Sequence, residues 1–181
     1  MSTRGFYDGV ALIRVADHLV YDYGADVPDS EVTLWSERTG HSAAAIREAV
    51  ASMVGRSGVT RTTLDTTGLR VRDLTALEAG RLTIAGVEHC LMRAEILRFG
   101  ARRYLLVPEP DNPVDPHAVA VYSGQRHVGY LPASRAVGIA PLLRQLDADA
   151  VEVTGTTDYQ VDVPRVPALR AVVKDGRAAR G

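Results

Sequence analysis

"LLVPEPDNPVDPHAVAVYSGQRHVGYLP", residues 105–132, decides how the second half of this chain is read. It opens as an apolar strand, breaks at "EPDNPVDPHA" and then resumes strand-like alternation. Within the break three prolines fix φ, while two aspartates and one asparagine can bond nearby backbone donors. The loop is therefore stiff. It can serve as a turn, and it can equally hold a carboxylate and an amide at fixed points for a ligand; the residue types by themselves favour the turn.

Around that loop the pattern is one of short strands. "EHCLMRAEILRF", "RRYLLVPE", "AVAVYS" and "RHVGYLP" read as strands, followed by a helix near 134–146 that must start close to Pro141 or bend there. "AVEVTGTT" and the stretch "YQVDVPRVPALRAVV" read as further strands, and "DGRAARG" as a loose tail. Five or more short strands with a single helix predict a small barrel.

The first half reads differently. Val10, Ile13, Ala16 or Asp17, Val20 and Tyr23 recur at helical spacing, and Gly24 stands where that helix would stop. Asp29 or Ser30 can cap a second helix through Arg38, which Gly40 ends, and Ser42 can cap a third running to about Val54. Trp35, Ile46 and Val50 are expected to face inward, and Tyr7, Tyr21 and Tyr122 to be core or half-buried residues. "GVTRTTLDTTGLRVRD" alternates on both sides of "DTTG", a hairpin signal. Two helices joined through "TGHS" form a helix-turn-helix in the geometric sense, and three helices before a hairpin fit a winged helix. The expected fold class is α+β: a helical unit over 1–80, a barrel over 81–174 and a flexible tail over 175–181.

Composition sets the limits on function. The 181 residues are 46% hydrophobic and 24% charged, as in a globular protein, and 21 basic against 22 acidic residues give a net charge of −1. No global positive field draws in nucleic acid, so any such site must be local. Lys174 is the only lysine; arginine suits phosphate, although a compositional bias gives the same excess. One cysteine, Cys90, excludes an internal disulfide and a Cys-rich zinc cluster. No apolar run of about 18 residues and no signal-like N-terminus is present, so a cytoplasmic protein with no membrane partner is expected.

The residues "EPDNPVDPHAVAVY", then "VGYLP", with "IAGVEH" upstream, resemble the HIRAN domain over about 82–174. That module stands at the N-terminus of some SWI/SNF-type fork-remodelling helicases and in small stand-alone bacterial proteins. The resemblance implies a modified OB- or SH3-like barrel whose pocket captures the free 3′ end of single-stranded DNA. It implies that Asp115 bonds the terminal hydroxyl, that Asn112 helps hold the backbone and that aromatic side chains stack the last bases. Tyr130 and Tyr159 are the expected stacking faces, with His89 a weaker one, and Arg102 and Arg103 lie before a strand next to the loop. Where well-understood members have an arginine followed by two tyrosines, this chain reads Glu88, His89 and Cys90, and Val114 replaces a loop aromatic. A carboxylate in place of arginine repels phosphate.

Other chemistry fits these residues less well. His89, Cys90, Asp115 and His117 mix metal-ligand types, but neighbours on a strand point to opposite faces, so His89 and Cys90 do not easily share an ion. Cys90 with His117 or His127 would make a nucleophile and base, yet a lone intracellular cysteine is more often a small buried hydrophobe. No metal, no cofactor and no enzymatic activity is expected. The sequence leads to a DNA-binding protein acting on single strands or their 3′ ends in repair, replication or mobile-element biology. The alternative is a protein- or peptide-interaction module built on the same barrel.

Overall fold

The computed structural model describes residues 10–59 and 62–178. The chain divides into two compact units, Met1–Thr60 with Leu91–Arg98, and Arg61–Cys90 with Phe99–Gly181. Both helix and sheet are present, helices first, as the α+β reading expects.

In the first unit, α1 (Leu12–Tyr23), α2 (Asp29–Thr39) and α3 (Ala43–Arg56) surround a core of Val15, Ala16, Leu19, Val32, Ile46 and Val50. Gly40, at φ 76°, ends α2 in the left-handed region, and the Ser42 hydroxyl accepts the Ala45 N–H at 3.2 Å to start α3. Ile46 and Val50 are buried as expected, with Trp35 packed against them. The buried stripe of α1 differs from the expected one: Val15, Ala16 and Leu19 are inside, while Ile13 is 51% exposed. Leu12, Val15, Ala16, Leu19 and Tyr23 form the better helical stripe, because Ile13 falls off its three-and-four spacing. Tyr21 is exposed rather than half-buried, and Tyr7 lies outside the described residues.

The stretch "EHCLMRAEILRF" is not a strand. It forms α4 (Val87–Cys90) and α5 (Arg93–Phe99). Its buried positions are Cys90 at the end of α4, Leu91 between the two helices and Glu95 in α5, and the Glu95 carboxylate turns back to accept the Met92 N–H at 2.8 Å. Within the first unit, Arg98 donates to the Tyr23 carbonyl and a Cβ on Gly24 would lie 2.8 Å from Glu95.

The second unit carries a curled sheet. Its strands are β1 (Val71–Asp73), β2 (Ala79–Thr83), β3 (Arg103–Pro108), β4 (Val119–Ser123), β5 (Arg126–Tyr130), β6 (Ala150–Thr156) and β7 (Gln160–Pro164). The order is β2-β7-β6-β3-β4-β5, antiparallel throughout, with β1 added in parallel to β6. β6 changes partner along its length, pairing with β3 over Val151–Thr154 and with β7 over Gly155–Thr156. The bend falls at Gly155, where a Cβ would lie 2.7 Å from the Tyr104 ring. Val119–Tyr122 of β4 are buried on both faces, which is why "AVAVY" reads as a continuous apolar run.

Two further expectations are corrected. The "DTTG" turn does form, since the Asp65 carboxylate accepts the Thr67 N–H at 2.9 Å. Its arms nevertheless do not pair as a wing: Thr63 bridges Arg126 and Val71–Asp73 pair with Ala150–Glu152. Arg70 ties the second arm down, gripping Asp149 at 2.8 Å and also pairing with Asp147. The last apolar stretch splits into β7 and α7 (Val166–Ala178), so 175–178 are helical rather than a loose tail, and the final three residues lie outside the described ones. α6 (Ala133–Leu143) starts eight residues before Pro141 rather than close to it, and Pro141 sits in its last turn without the N–H that would bond the Val137 carbonyl.

One bridge joins the two ends of the sheet. Ala85 and Tyr130 exchange N–H···O bonds of 2.8 and 2.9 Å, which brings the chain after β2 against the end of β5. Gly129 permits that approach: its φ is 147°, and a Cβ there would meet the Ala85 carbonyl and lie 2.6 Å from Ile84 Cγ2. Gly129→Ala is expected to destabilise the second unit by ~2 kcal/mol or more in chemical denaturation. Gly124→Ala, at φ 58° with open space around it, should cost only about 1 kcal/mol.

Candidate nucleic-acid interface

The proline loop connects β3 to β4, and its ends are held by the Glu109 N–H donating to the Ala118 carbonyl at 2.9 Å. Inside it the polar side chains bond first to the loop itself. Asn112 Oδ1 accepts the N–H of Val114 at 3.0 Å and of Asp115 at 3.2 Å, and Asn112 Nδ2 donates to Glu109 Oε2 at 2.8 Å. Asp115 Oδ1 accepts the His117 N–H at 2.8 Å. These are the local bonds that favour Asn and Asp in turns. They leave Asp115 Oδ2 without a hydrogen bond among the described residues. Pro108–Pro113 curve around a concavity of about 400 Å³ on this loop. At its tip Val114 is 91% exposed.

Beneath the loop lies a cluster of titratable groups that share one another's fields. His127 is 3% exposed and stands 5.1 Å from the Tyr122 ring and 4.8 Å from the Tyr130 ring, the second edge-on. Its Nδ1 is 3.5 Å from Cys90 Sγ, and its Nε2 has no partner among the described residues. Burial lowers the His127 pKa and so keeps the ring neutral. Burial likewise raises the Cys90 thiol and pushes Tyr122 up to about 12, with the Glu109 carboxylate adding to both. Tyr130 is raised by the same pair of causes, with Glu109 and Asn112 both acting on its hydroxyl. Glu109 is thus the common electrostatic neighbour of Cys90, Tyr122, His127 and Tyr130.

The expected site residues separate into those that meet here and those that do not. Asn112, Asp115 and Tyr130 lie together on the loop and the adjoining strand end, with Tyr130 half-buried. His89 is exposed in the short α4, not on an opening strand, and its ring is 3.6 Å from the Glu88 carboxylate. Tyr159 is only 6% exposed at the β6–β7 turn, with φ 58°, so its ring offers no open stacking face. Arg102 and Arg103 are exposed, but they sit at the start of β3 while the loop follows its end, roughly 16 Å away along an extended strand. Arg103 is moreover paired with Glu152 at 2.7 Å.

Two participants escaped the sequence reading. Arg144, just beyond α6, donates to the Pro116 carbonyl at 2.9 Å and so brings a guanidinium to the loop. Nothing local marks it, because the contact spans 28 residues. Glu109 stands in the quoted motif, and only its neighbours in space reveal that it links the loop to Tyr130. Chemically, the arrangement offers a carboxylate oxygen as hydrogen-bond acceptor, an aromatic ring and one nearby cation.

The His127 shift has a consequence for stability. A histidine whose folded pKa is depressed binds fewer protons folded than unfolded, so its contribution is complete above the unfolded value of about 6.5 and is lost as pH falls below it. The unfolding free energy measured from pH 8 to 5 should decline with a slope of up to about 1.4 kcal/mol per pH unit from this one group. In His127→Phe that part of the slope should disappear.

Comparison with known proteins bears on the same stretch. Residues 81–169 match the family model of the HIRAN domain. No curated protein and no solved structure matches the chain. Within the matched segment, Leu91–Arg98 belong to the helical unit and the remainder to the barrel. The C-terminal half of the chain, with the proline loop and the Tyr130 strand inside it, thus carries a HIRAN domain, a family generally associated with DNA binding.

Proposed function

We propose that this protein binds single-stranded DNA without cleaving it and engages the free 3′ end at the loop 109–117. The observation that carries the reading is Asp115: one carboxylate oxygen is fixed by the His117 N–H, and the other has no hydrogen bond among the described residues of a stiff loop. A terminal hydroxyl donating to that oxygen makes a charge-assisted bond, whereas a terminal phosphate would bring negative charge against Asp115, Glu109 and Asp111. Selection for a hydroxyl end follows from the acidity of the loop.

Other groups support this arrangement. Asn112 is a positioning residue, since its amide oxygen accepts two loop N–H groups and its nitrogen donates to Glu109. Tyr130 supplies the stacking face, and stacking on an aromatic contributes about 1 to 3 kcal/mol per base. Arg144 is the cation for the last phosphate. A buried Cys90 thiol with a raised pKa suits packing rather than nucleophilic attack. Binding of free 3′ ends would place the protein where such ends arise, in repair, replication or mobile-element movement.

Fluorescence anisotropy with oligothymidine tests the proposal, comparing a free 3′-hydroxyl with a 3′-phosphate across a salt series. The free end should bind more tightly, with affinity falling as salt rises. Asp115→Asn keeps the acceptor for His117 but replaces the free oxygen with a donor, and it should weaken binding roughly 10- to 100-fold, as for loss of a bond to a charged group. Equal affinity for both ends, or an unaffected Asp115→Asn variant, would overturn end capture.

A further inference from the structure

Away from the proline loop, the sheet of the second unit has an incomplete seam. The Glu78 carbonyl accepts the Arg165 N–H at 2.9 Å, and the Ile84 N–H donates to Tyr159 at 2.8 Å, so even-numbered residues of this stretch direct their backbone groups to the β7 side. Ala85 directs its own to the opposite side, where Tyr130 meets them. By strand alternation, the N–H and C=O groups of Ala79, Arg81 and Thr83 also face that opposite side. No hydrogen bond among the described residues meets them there. The strand that would have paired with them has left: β5 ends at Tyr130, and Pro132 caps the start of α6.

The same strand also borders an open, arginine-bearing groove. This groove, of about 510 Å³, is lined by β2, α6 and the β7–α7 junction, with Gly80, Leu82, Gly138, Ile139, Val163 and Pro164 among its apolar residues. A Cβ placed on Gly80 or Gly138 would meet nothing within 4 Å. Arg81, Arg135 and Arg165 also line the groove, and no carboxylate does. Arg81 is bonded to Asp162 at 2.8 Å and Arg165 to Glu78 at 3.2 Å, whereas Arg135 makes no ion pair among the described residues.

We propose that this seam captures an extended acidic peptide of a partner protein, which adds as a strand to the free edge of β2 and sets a carboxylate on Arg135, the groove arginine without an ion pair among the described residues. The unpaired groups alternate donor and acceptor at strand spacing, and a peptide backbone returns the complementary series. A DNA backbone offers acceptors only, so the carbonyls of Ala79, Arg81 and Thr83 would stay unmatched. Carboxylates suit the groove because every charged residue lining it is an arginine, whose fork binds them in bidentate fashion. None of these residues belongs to the loop 109–117, so this surface and DNA end capture stand or fall separately.

Amide hydrogen exchange on the full chain tests it. The probe is a pool of terminally blocked decapeptides in which glutamate alternates with varied apolar residues, beside a pool with glutamine for glutamate. With the glutamate pool at ten times its Kd, exchange at Ala79, Arg81 and Thr83 should slow about tenfold, and much less with the glutamine pool. Arg135→Glu should abolish the effect, as should Gly138→Leu, whose Cβ meets nothing within 4 Å at a position that lines the groove. Both variants should keep the wild-type thermal midpoint and DNA anisotropy. Unchanged exchange at the three amides, or equal protection by the two pools, would overturn the proposal. Protection by oligothymidine instead of peptide would also overturn it and make the groove a DNA path.

Discussion

The pairing of Ala85 with Tyr130 is the contact on which the second unit depends. Seven strands in one twisted sheet have two ends, and this two-bond bridge brings them together. It is narrow, because only Gly129 lets the chain before Tyr130 lie so close to Ile84 and Ala85. The same bridge fixes Tyr130 beside His127 and under the proline loop, where Glu109 and Asn112 reach its hydroxyl. Because the bridge stops at one residue pair, it also leaves the remainder of the β2 edge open. The aromatic of the candidate DNA site and the unpaired edge are two consequences of one short closure.

The loop shows how a turn and a binding group can be the same residue. Asn112 and Asp115 bond backbone donors within two or three positions, as turn residues do. A carboxylate has two oxygens, however, and the turn takes only one of Asp115. The amide of Asn112 spends more of itself on the loop, since its oxygen accepts the N–H groups of both Val114 and Asp115 and its nitrogen donates to Glu109. That difference in valence separates a residue that can contact a ligand from one that positions its neighbours.

Much of the architecture was legible. Gly24, Gly40 and Ser42 marked the helix ends, "AVAVY" marked a strand buried on both faces, and the loop motif located the HIRAN domain. The failures share a cause. "EHCLMRAEILRF" is short and apolar enough to satisfy either period, and its helical form is settled by Glu95 bonding Met92 and by burial of Leu91 and Glu95 in the first unit. The "DTTG" turn was real, but local chemistry cannot say what its arms pair with, and both pair with the sheet.

By itself, then, the sequence determined what short-range physics controls: helix caps, the stiffness of the proline loop, the alternation of the strands and the family of the second half. Tertiary structure alone decided which side chains share a field. It buried Tyr159, paired Arg103 with Glu152, brought Arg144 to Pro116 and set Glu109 beside four titratable groups. The physical reason is range. Caps and turns are closed by atoms within a few residues, whereas burial and electrostatic neighbourhood depend on segments that meet only when the sheet curls.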